Sequence, residues 1–331
     1  MSSQIQAIGH TDHGQMIERI AIQGGGLSAW ILTHGATVQD LRLDGFAHPL
    51  VLGSPSIAPY FGEMNYFGAL VGRFANRIAG GRFSVAGREY ATPRNWLGRH
   101  CLHGGSTGTA QRLWTIESLA PDCACLGLTL ADGEMGFPGR MQVRLEISLP
   151  GDGALQMDVT ATTDASTPCS FAHHGLFNLD GGGTITGHEL WIDASAYLPV
   201  DDDLIPTGEI APVDGTKFDF RNARSVGDAG LDHNFCLSPG REPSRAVAVL
   251  RSPANGLSMT VETTEPGLQV YDGANIPKIV TSGLDRQAYG PFAGIALETQ
   301  NWPDAPNHSS FPNAILNPGE TYRHQMRYVF R

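Results

Sequence analysis

The sequence predicts an all-β fold. Apolar and polar residues alternate with a period of two in several segments, which is the pattern of half-buried strands. The 41 glycines and 21 prolines interrupt the chain too often for long helices. Strand patterns and helix patterns do not alternate, so a parallel sheet with crossover helices is not expected. Many short strands separated by turn residues are typical of a β-sandwich or a barrel.

The clearest pair of strands lies in the middle of the chain. Apolar side chains alternate through residues 140–149 and again through residues 155–161. Residues 150–153, Pro-Gly-Asp-Gly, have the composition of a turn, and this predicts an antiparallel hairpin. The remaining predicted strands are residues 124–130, 246–251, 259–263, 268–271, 295–298 and 322–330.

Composition limits the class of partner and the location. With 41% hydrophobic and 17% charged residues, the chain can bury a sizeable core. The net charge of -11 argues against nucleic acid and anionic membranes, which bind clustered Lys and Arg. No signal peptide and no apolar run of about 18 residues are visible, and five cysteines make a disulfide framework unexpected. We expect a cytoplasmic location, one domain over residues 1–331, and a monomer or homodimer, although the sequence does not fix the oligomeric state.

Two local motifs match known sites by letter only. Residues 104–108 read Gly-Gly-Ser-Thr-Gly and fit the nucleophile elbow of α/β-hydrolases. That elbow needs a buried strand before it and a helix after it, and neither is predicted here. The acidic residues 201–203 lack the rest of a calcium-binding loop, so we interpret them as a solvated turn.

Four histidines fall in two short segments of the chain: His100, His103, His173 and His174. Imidazole is the commonest metal ligand, so a catalytic zinc site is one hypothesis. General acid–base chemistry is a second hypothesis. For any one histidine considered alone, a structural role is the ordinary expectation.

Glu298 follows the apolar residues of a predicted strand. Burial at such a position raises the pKa of a carboxylate and strengthens it as a base. Trp302 lies four residues on, beside amide side chains, and this combination would suit the apolar face and the polar edge of a sugar. Considered alone, a glutamate at a strand end is more often a surface ion-pair partner.

Several segments taken together resemble the aldose 1-epimerase (galactose mutarotase) family. Residues 294–307, Gly-Ile-Ala-Leu-Glu-Thr-Gln-Asn-Trp-Pro-Asp-Ala-Pro-Asn, resemble the C-terminal catalytic signature of the family. Residues 72–78, Gly-Arg-Phe-Ala-Asn-Arg-Ile, and residues 102–105, Leu-His-Gly-Gly, resemble two earlier motifs. Residues 133–139, 204–210 and 232–235 resemble three more. The matches keep the order of the family and cover nearly the whole chain.

The resemblance implies a single large antiparallel β-sandwich, the galactose mutarotase-like supersandwich, with a shallow open cleft. It also implies an isomerase that interconverts the α and β anomers of a free aldose, without a metal or an organic cofactor. A base removes the proton of the C1 hydroxyl while an acid protonates the ring oxygen, and the ring opens to an aldehyde. Each such group contributes about 10²–10⁴-fold to the rate.

The resemblance also implies the roles of individual residues. Glu298 is the base, His174 is the acid, and His103 assists near the ring oxygen and C1. His173 is adjacent to the acid and on a strand would point to the opposite face, so it is interpreted as structural. The implied sugar-binding residues are Asn76, Arg77, Asp232 and Gln269.

Three residues depart from the family pattern: Gly175, Leu176 and Asp272. The first two stand where the family usually has Ser-Tyr, and loss of a hydrogen-bonding group changes sugar discrimination strongly. The preferred sugar is therefore left open. Two alternative functions are a non-catalytic sugar-binding module on the same sandwich and an epimerase of phosphorylated hexoses, which would need a basic pocket.

Overall fold

The structure, a computed structural model, describes residues 4–279 and 283–331. These ranges contain strands and short 3-10 helices but no α-helix, which confirms the all-β prediction. They also contain no helix with the length and apolar character of a membrane span. The 3-10 helices are Ala58–Phe61, Ala79–Gly81, Thr109–Gln111, Glu134–Gly136, Ile185–Gly187, Leu284–Arg286 and Ala305–Asn307.

The strands are numbered in chain order. They are β1 (Ile5–His10), β2 (Met16–Gly24), β3 (Leu27–Leu32), β4 (Thr37–Leu43), β5 (Leu70–Val71), β6 (Arg77–Ile78), β7 (Arg82–Val85), β8 (Arg88–Ala91), β9 (Cys101–Leu102), β10 (Thr115–Ala120), β11 (Cys123–Leu130), β12 (Met141–Ser148), β13 (Ala154–Thr163), β14 (Thr167–Pro168), β15 (Ala172–His173), β16 (Leu176–Phe177), β17 (Glu189–Ile192), β18 (Ala196–Tyr197), β19 (Ala211–Pro212), β20 (Arg224–Ser225), β21 (Asp232–Cys236), β22 (Arg245–Arg251), β23 (Ser258–Thr263), β24 (Gly267–Tyr271), β25 (Ile295–Gln300), β26 (Ile315–Leu316) and β27 (Tyr322–Phe330).

Three larger antiparallel sheets form the framework. Nine strands follow the order β10-β11-β12-β13-β27-β23-β22-β17-β20, and six follow the order β16-β25-β24-β21-β18-β19. The third sheet contains β1 to β4. The predicted central hairpin is confirmed as β12–β13, with Leu145 opposite Val159. All the strands predicted from alternation are present, with bounds that differ by at most two residues.

One hydrophobic cluster joins the three larger sheets. Its fully buried members include Ile31 of β3, Leu145 of β12 and Leu268 of β24. Alternation explains how the strands build it, because every second side chain of a strand points to the same face. In β12, for example, Met141 and Val143 are buried while Gln142 between them is exposed. The sheets therefore pack face to face around this cluster, as a sandwich.

Candidate active site

A cavity of about 230 Å³ lies against the six-stranded sheet and is lined in part by residues of β21, β24 and β25. Its wall combines carboxylates, imidazoles and amides with aromatic rings. The lining residues are Glu63, Asn65, Tyr66, Phe67, Asn76, Arg77, Trp96, Leu102, His103, His174, Leu176, Asp232, Tyr271, Asn275, Ile276, Pro277 and Glu298. The structure thus brings together, from distant parts of the sequence, all but one of the residues that the resemblance implies.

Strand register places the acidic residues of the cavity. Glu298 of β25 is opposite Gln269 of β24. Tyr271, two residues further along β24, is opposite Asp232 of β21. Residues directly opposite each other project from the same face of a sheet, as do residues two apart in one strand. Glu298 and Asp232 therefore face the same side although 66 residues separate them in sequence.

A short strand pair joins the two early sequence motifs. Arg77 of β6 is opposite Leu102 of β9. The Asn76 N–H donates to His103 Nδ1 (3.1 Å), and the His103 N–H donates to the Asn76 carbonyl (3.0 Å). Both residues have left-handed backbone conformations, with φ of 67° and 50°. Such conformations cost about 1–3 kcal/mol each, and the reciprocal hydrogen bonds hold them in place.

His174 lies between β15 and β16, in a segment held by two backbone hydrogen bonds. Its N–H donates to the Ala69 carbonyl, and its carbonyl accepts from the Gly68 N–H, both at 2.8 Å. This position places His174 Nε2 3.7 Å from Glu298 Oε1. The ring of His103 is also close, with 5.3 Å between the two imidazole centroids.

The carboxylate of Glu298 is buried, with only 2% of the residue exposed. Burial raises its pKa, nearby Asp232 adds to the rise, and His174 and Arg77 oppose it. Glu298 Oε2 is buried and has no hydrogen-bond partner among the described residues. A buried carboxylate oxygen without a partner is costly, so this oxygen is suited to accept a hydrogen bond from a bound ligand.

His103, His174 and Glu298 also form a possible metal site, because one ligating atom of each lies within 4.8 Å of the others. The protonation of His103 argues against this use. Its Nδ1 accepts the Asn76 N–H, so the neutral ring carries its proton on Nε2. Burial, with His174 and Arg77 nearby, holds the pKa of His103 well below its usual value. His103 is therefore a hydrogen-bond donor, which suits a sugar oxygen better than a cation.

Asp232 is held by two donors. Its Oδ2 accepts from the Arg77 guanidinium (2.9 Å), and its Oδ1 accepts from Gln269 Nε2 (2.5 Å). Gln269 is 2% exposed and does not line the cavity. The resemblance implies a sugar contact for Gln269, and the structure shows its amide bonded to the Asp232 carboxylate. This hydrogen bond and the Arg77 ion pair together hold the Asp232 carboxylate in place.

The two remaining histidines lie outside the cavity. His173 is fully buried, its Nδ1 is 3.3 Å from the Tyr328 hydroxyl, and burial lowers its pKa to about 3. His100 Nε2 is 2.9 Å from Asp203 Oδ2, and its Nδ1 accepts the Gly80 N–H. Both environments agree with the structural interpretation of these two residues.

The expectation that Trp302 contacts a sugar is wrong. Its indole N–H donates to the Pro266 carbonyl (2.9 Å), and its ring packs edge-on against Phe311 in a buried cluster. The aromatic side chains that line the cavity are instead Tyr66, Phe67, Trp96 and Tyr271, which sequence reasoning missed. The position of Trp96 shortly before the Leu-His-Gly-Gly motif was the available signal.

Of the three departures from the family pattern, only Leu176 lines the cavity. Asp272 is buried and accepts the Leu231 N–H (2.7 Å) and the Ala274 N–H (3.1 Å), so it orders a turn. A Cβ on Gly175 would lie 2.4 Å from the His173 ring, so glycine makes room for that ring. Of these three departures, only Leu176 is therefore placed to contact a ligand in the cavity directly.

The hydrolase-like motif is a turn and not a nucleophile elbow. It connects β9 to the 3-10 helix Thr109–Gln111, and it belongs to no parallel sheet. Ser106 is exposed and its hydroxyl contacts Met135 Sδ at 3.8 Å. The motif therefore offers no catalytic serine.

The buried carboxylate and the imidazole that face each other in this cavity are the groups that general acid–base chemistry on a small polar ligand requires. The family model described as aldose 1-epimerase matches residues 18–329. Galactose mutarotase from Mus musculus is 40% identical over 96% of this chain and 95% of its own length. Aldose 1-epimerase from Escherichia coli (strain K12) is 33% identical over 92% of each chain.

Solved structures agree with the sequence comparisons. The crystal structure of an aldose epimerase homologue from C. elegans has a TM-score of 0.88 and 28% identity, over 95% of this chain and 98% of that chain. The chain belongs to the aldose 1-epimerase family, and it is an isomerase with the galactose mutarotase-like fold.

Proposed function

We propose that the protein catalyses mutarotation of a free aldose, with Glu298 as the base and His174 as the acid. One observation carries the assignment of roles. The buried Glu298 carboxylate keeps one oxygen without a partner and faces His174 Nε2 across a 3.7 Å gap. That gap is too long for a hydrogen bond, so each group is free to exchange a proton with a ligand.

The geometry supports one sequence of proton transfers. Glu298 removes the proton of the C1 hydroxyl, while His174 delivers a proton to the ring oxygen and the C1–O5 bond opens. The aldehyde then rotates about C1–C2, and the same two groups act in reverse to close the ring on the other face. Because mutarotation is a simple proton-transfer reaction, two positioned groups are sufficient and no covalent nucleophile is needed.

The other polar residues position the sugar. His103 donates from Nε2 to an oxygen near the reacting centre. Arg77 donates to hydroxyls and Asp232 accepts from them, and their mutual ion pair (2.9 Å) fixes both groups before the sugar binds. Preorganised partners lower the entropic cost of binding.

The charge of the cavity favours a neutral sugar over a phosphorylated hexose. Arg77 is the one Lys or Arg side chain among the described lining residues, and Asp232 already neutralises it. A phosphate group would also meet the carboxylates of Glu298 and Asp232. Charge repulsion therefore opposes the hexose-phosphate alternative.

A non-catalytic sugar-binding module would not need the buried Glu298 carboxylate. Burial of an ionised carboxylate is costly, and binding alone could use neutral hydrogen-bonding groups. Groups whose pKa is displaced by burial inside a cavity are instead typical of acid–base catalysis.

Polarimetry on freshly dissolved α-anomers tests the proposed function. We expect faster equilibration than in buffer for at least one of galactose, glucose, arabinose and xylose, with no loss of rate after dialysis against a chelator. Sugar binding by calorimetry without faster mutarotation would favour the binding-module alternative. Faster turnover of glucose 6-phosphate than of glucose would favour the hexose-phosphate alternative.

We further propose one domain over residues 1–331, a cytoplasmic location, and a monomer or homodimer. The shared hydrophobic cluster of the three larger sheets supports the single domain. All five cysteines are free thiols, which agrees with a reducing compartment.

A further inference from the structure

Trp96 supplies an aromatic surface to the cavity, close to the residues that bind the sugar hydroxyls. Its side chain is partly exposed and lines the cavity. The Arg77 guanidinium lies over its ring, 4.7 Å from the centroid. The same guanidinium donates to Asp232. Trp96 thus adjoins the Arg77–Asp232 pair rather than the Glu298–His174 pair.

We propose that Trp96 is a substrate-contacting residue that packs against the C–H face of the aldose, and that Asp203 positions its ring. The identity of the ligand rests on the proposed mutarotase function. A pyranose has hydroxyls around its edge and C–H groups on its faces. Arg77 and Asp232 provide partners for the edge, and an indole ring provides a matching apolar surface for a face.

The orientation of Trp96 is fixed from outside the cavity. Its indole N–H donates to the Asp203 carbonyl (3.1 Å), and its backbone exchanges two hydrogen bonds with His100 (2.9 and 3.0 Å). The Asp203 carboxylate in turn binds the Arg99 guanidinium and His100 Nε2. Since the Gly80 N–H occupies His100 Nδ1, the neutral imidazole carries its proton on Nε2 and donates it to Asp203.

These contacts suggest that His100 and Asp203, which have no part in the proposed proton transfers, hold Trp96 in position. Asp203 connects the loop that carries Trp96 to the turn at residues 201–204. A ring held in this way loses little conformational freedom when a ligand packs on it, which favours binding. The effect belongs to substrate affinity, so it should appear in KM and not in kcat.

Trp30 offers a matched control. It is also a partly exposed tryptophan with an arginine over its ring, because the Arg19 guanidinium lies 4.3 Å from its centroid. It belongs to β3, and it lines a separate surface groove with Gln23 and Pro121. Loss of Trp30 therefore tests the general effect of removing an arginine-stacked tryptophan.

Tryptophan fluorescence during a galactose titration, in the Glu298→Gln background, tests the contact without turnover. We expect the sugar-induced change to be strongly reduced in Trp96→Phe and to be retained in Trp30→Phe. An undiminished change in Trp96→Phe would overturn the proposed contact. If galactose produces no saturable change with Trp96 intact, neither the contact nor a galactose site stands.

Steady-state kinetics supply the second readout. We expect Trp96→Ala to raise KM about tenfold with little change in kcat, and Trp96→Phe to restore most of the affinity. Asp203→Ala should raise KM in the same direction, whereas Asp203→Asn, which keeps a polar partner for His100, should raise it less. Normal KM values for Trp96→Ala would refute the inference and leave the mutarotase function intact. Saturable binding without mutarotation would refute the function and leave the Trp96 contact intact.

Discussion

His174 Nε2 and Glu298 Oε1 lie 3.7 Å apart, in a cavity that buries most of both side chains. Sheet register sets the position of Glu298, since it is opposite Gln269 in the six-stranded sheet. Backbone hydrogen bonds to residues 68 and 69 set the position of His174. The pair is therefore fixed by two independent parts of the fold, and a ligand that binds between them meets a carboxylate and an imidazole already in place.

The acid limb of the pH profile of kcat/KM should report Glu298, because only its carboxylate form accepts a proton. Burial raises the pKa of Glu298, so this limb should lie above the ordinary glutamate pKa. Asp232 raises that pKa further and Arg77 lowers it. Asp232→Asn should therefore move the limb to lower pH, and Arg77→Gln should move it to higher pH. Shifts of both variants in one direction would contradict this assignment.

Glu298→Gln should be more stable than the natural protein at neutral pH. The raised pKa means that the folded state holds the Glu298 proton more tightly than the unfolded state. Stability is therefore lost as pH rises from the unfolded pKa through the folded pKa. A neutral glutamine avoids this loss, so thermal melting near pH 7 should show a Tm increase of about 2 °C. The difference should disappear at about pH 4, where the natural glutamate is protonated in the folded state as well.

Substitutions of the adjacent residues His173 and His174 should affect stability and catalysis separately. His174→Gln should lower kcat about 10²–10⁴-fold with little effect on Tm, because its imidazole exchanges a proton with the sugar. His173→Asn should cost about 1–3 kcal/mol of unfolding free energy, because the buried ring packs near Tyr328, but it should keep most of the kcat. Denaturant titration and polarimetry on both variants measure the two effects. The assignment of the acid fails if His173→Asn, while folded, loses as much kcat as His174→Gln.

Gly175→Ala should destabilise the protein by about 1–3 kcal/mol through overpacking. The added Cβ would lie 2.4 Å from the His173 ring, and this ring is fully buried. Gly187→Ala is the control, since a Cβ there meets nothing within 4 Å. Chemical denaturation measures both variants. If the collision is the cause, Gly175→Ala should cost less in the His173→Asn background than alone; equal costs in both backgrounds would contradict it.

The sequence predicted the parts of the fold that depend on local pattern. Alternation located the long strands, and the Pro-Gly-Asp-Gly turn located the β12–β13 hairpin. Alternation did not identify β15 or β16, because a two-residue strand has no period and forms only when a partner strand is present. Yet these two strands flank His174, so the local setting of the acid could not be read from alternation.

The family resemblance predicted most of the charged residues that line the cavity, but it did not predict the aromatic residues that line it. Trp302 is adjacent to the catalytic signature in sequence, but tertiary packing buries it against Phe311. Trp96 lies in a polar loop, and contacts with His100, Asp203 and Arg77 hold it at the cavity. Gln269 shows the same limit, because register puts it on the face of Glu298 while its side chain donates to Asp232 and does not line the cavity. Distances between remote segments decide these roles, and a single sequence does not contain those distances.

Polarimetry on the Glu298→Gln variant tests most directly whether Glu298 is the base of an active mutarotase. Glu262→Gln is a matched control, because Glu262 is a partly buried strand glutamate that pairs with Arg327 outside the cavity. With the aldose that the natural protein equilibrates fastest, we predict that Glu298→Gln loses about 10²–10⁴-fold in kcat while remaining folded and that Glu262→Gln keeps its activity. Full activity of Glu298→Gln would contradict the account.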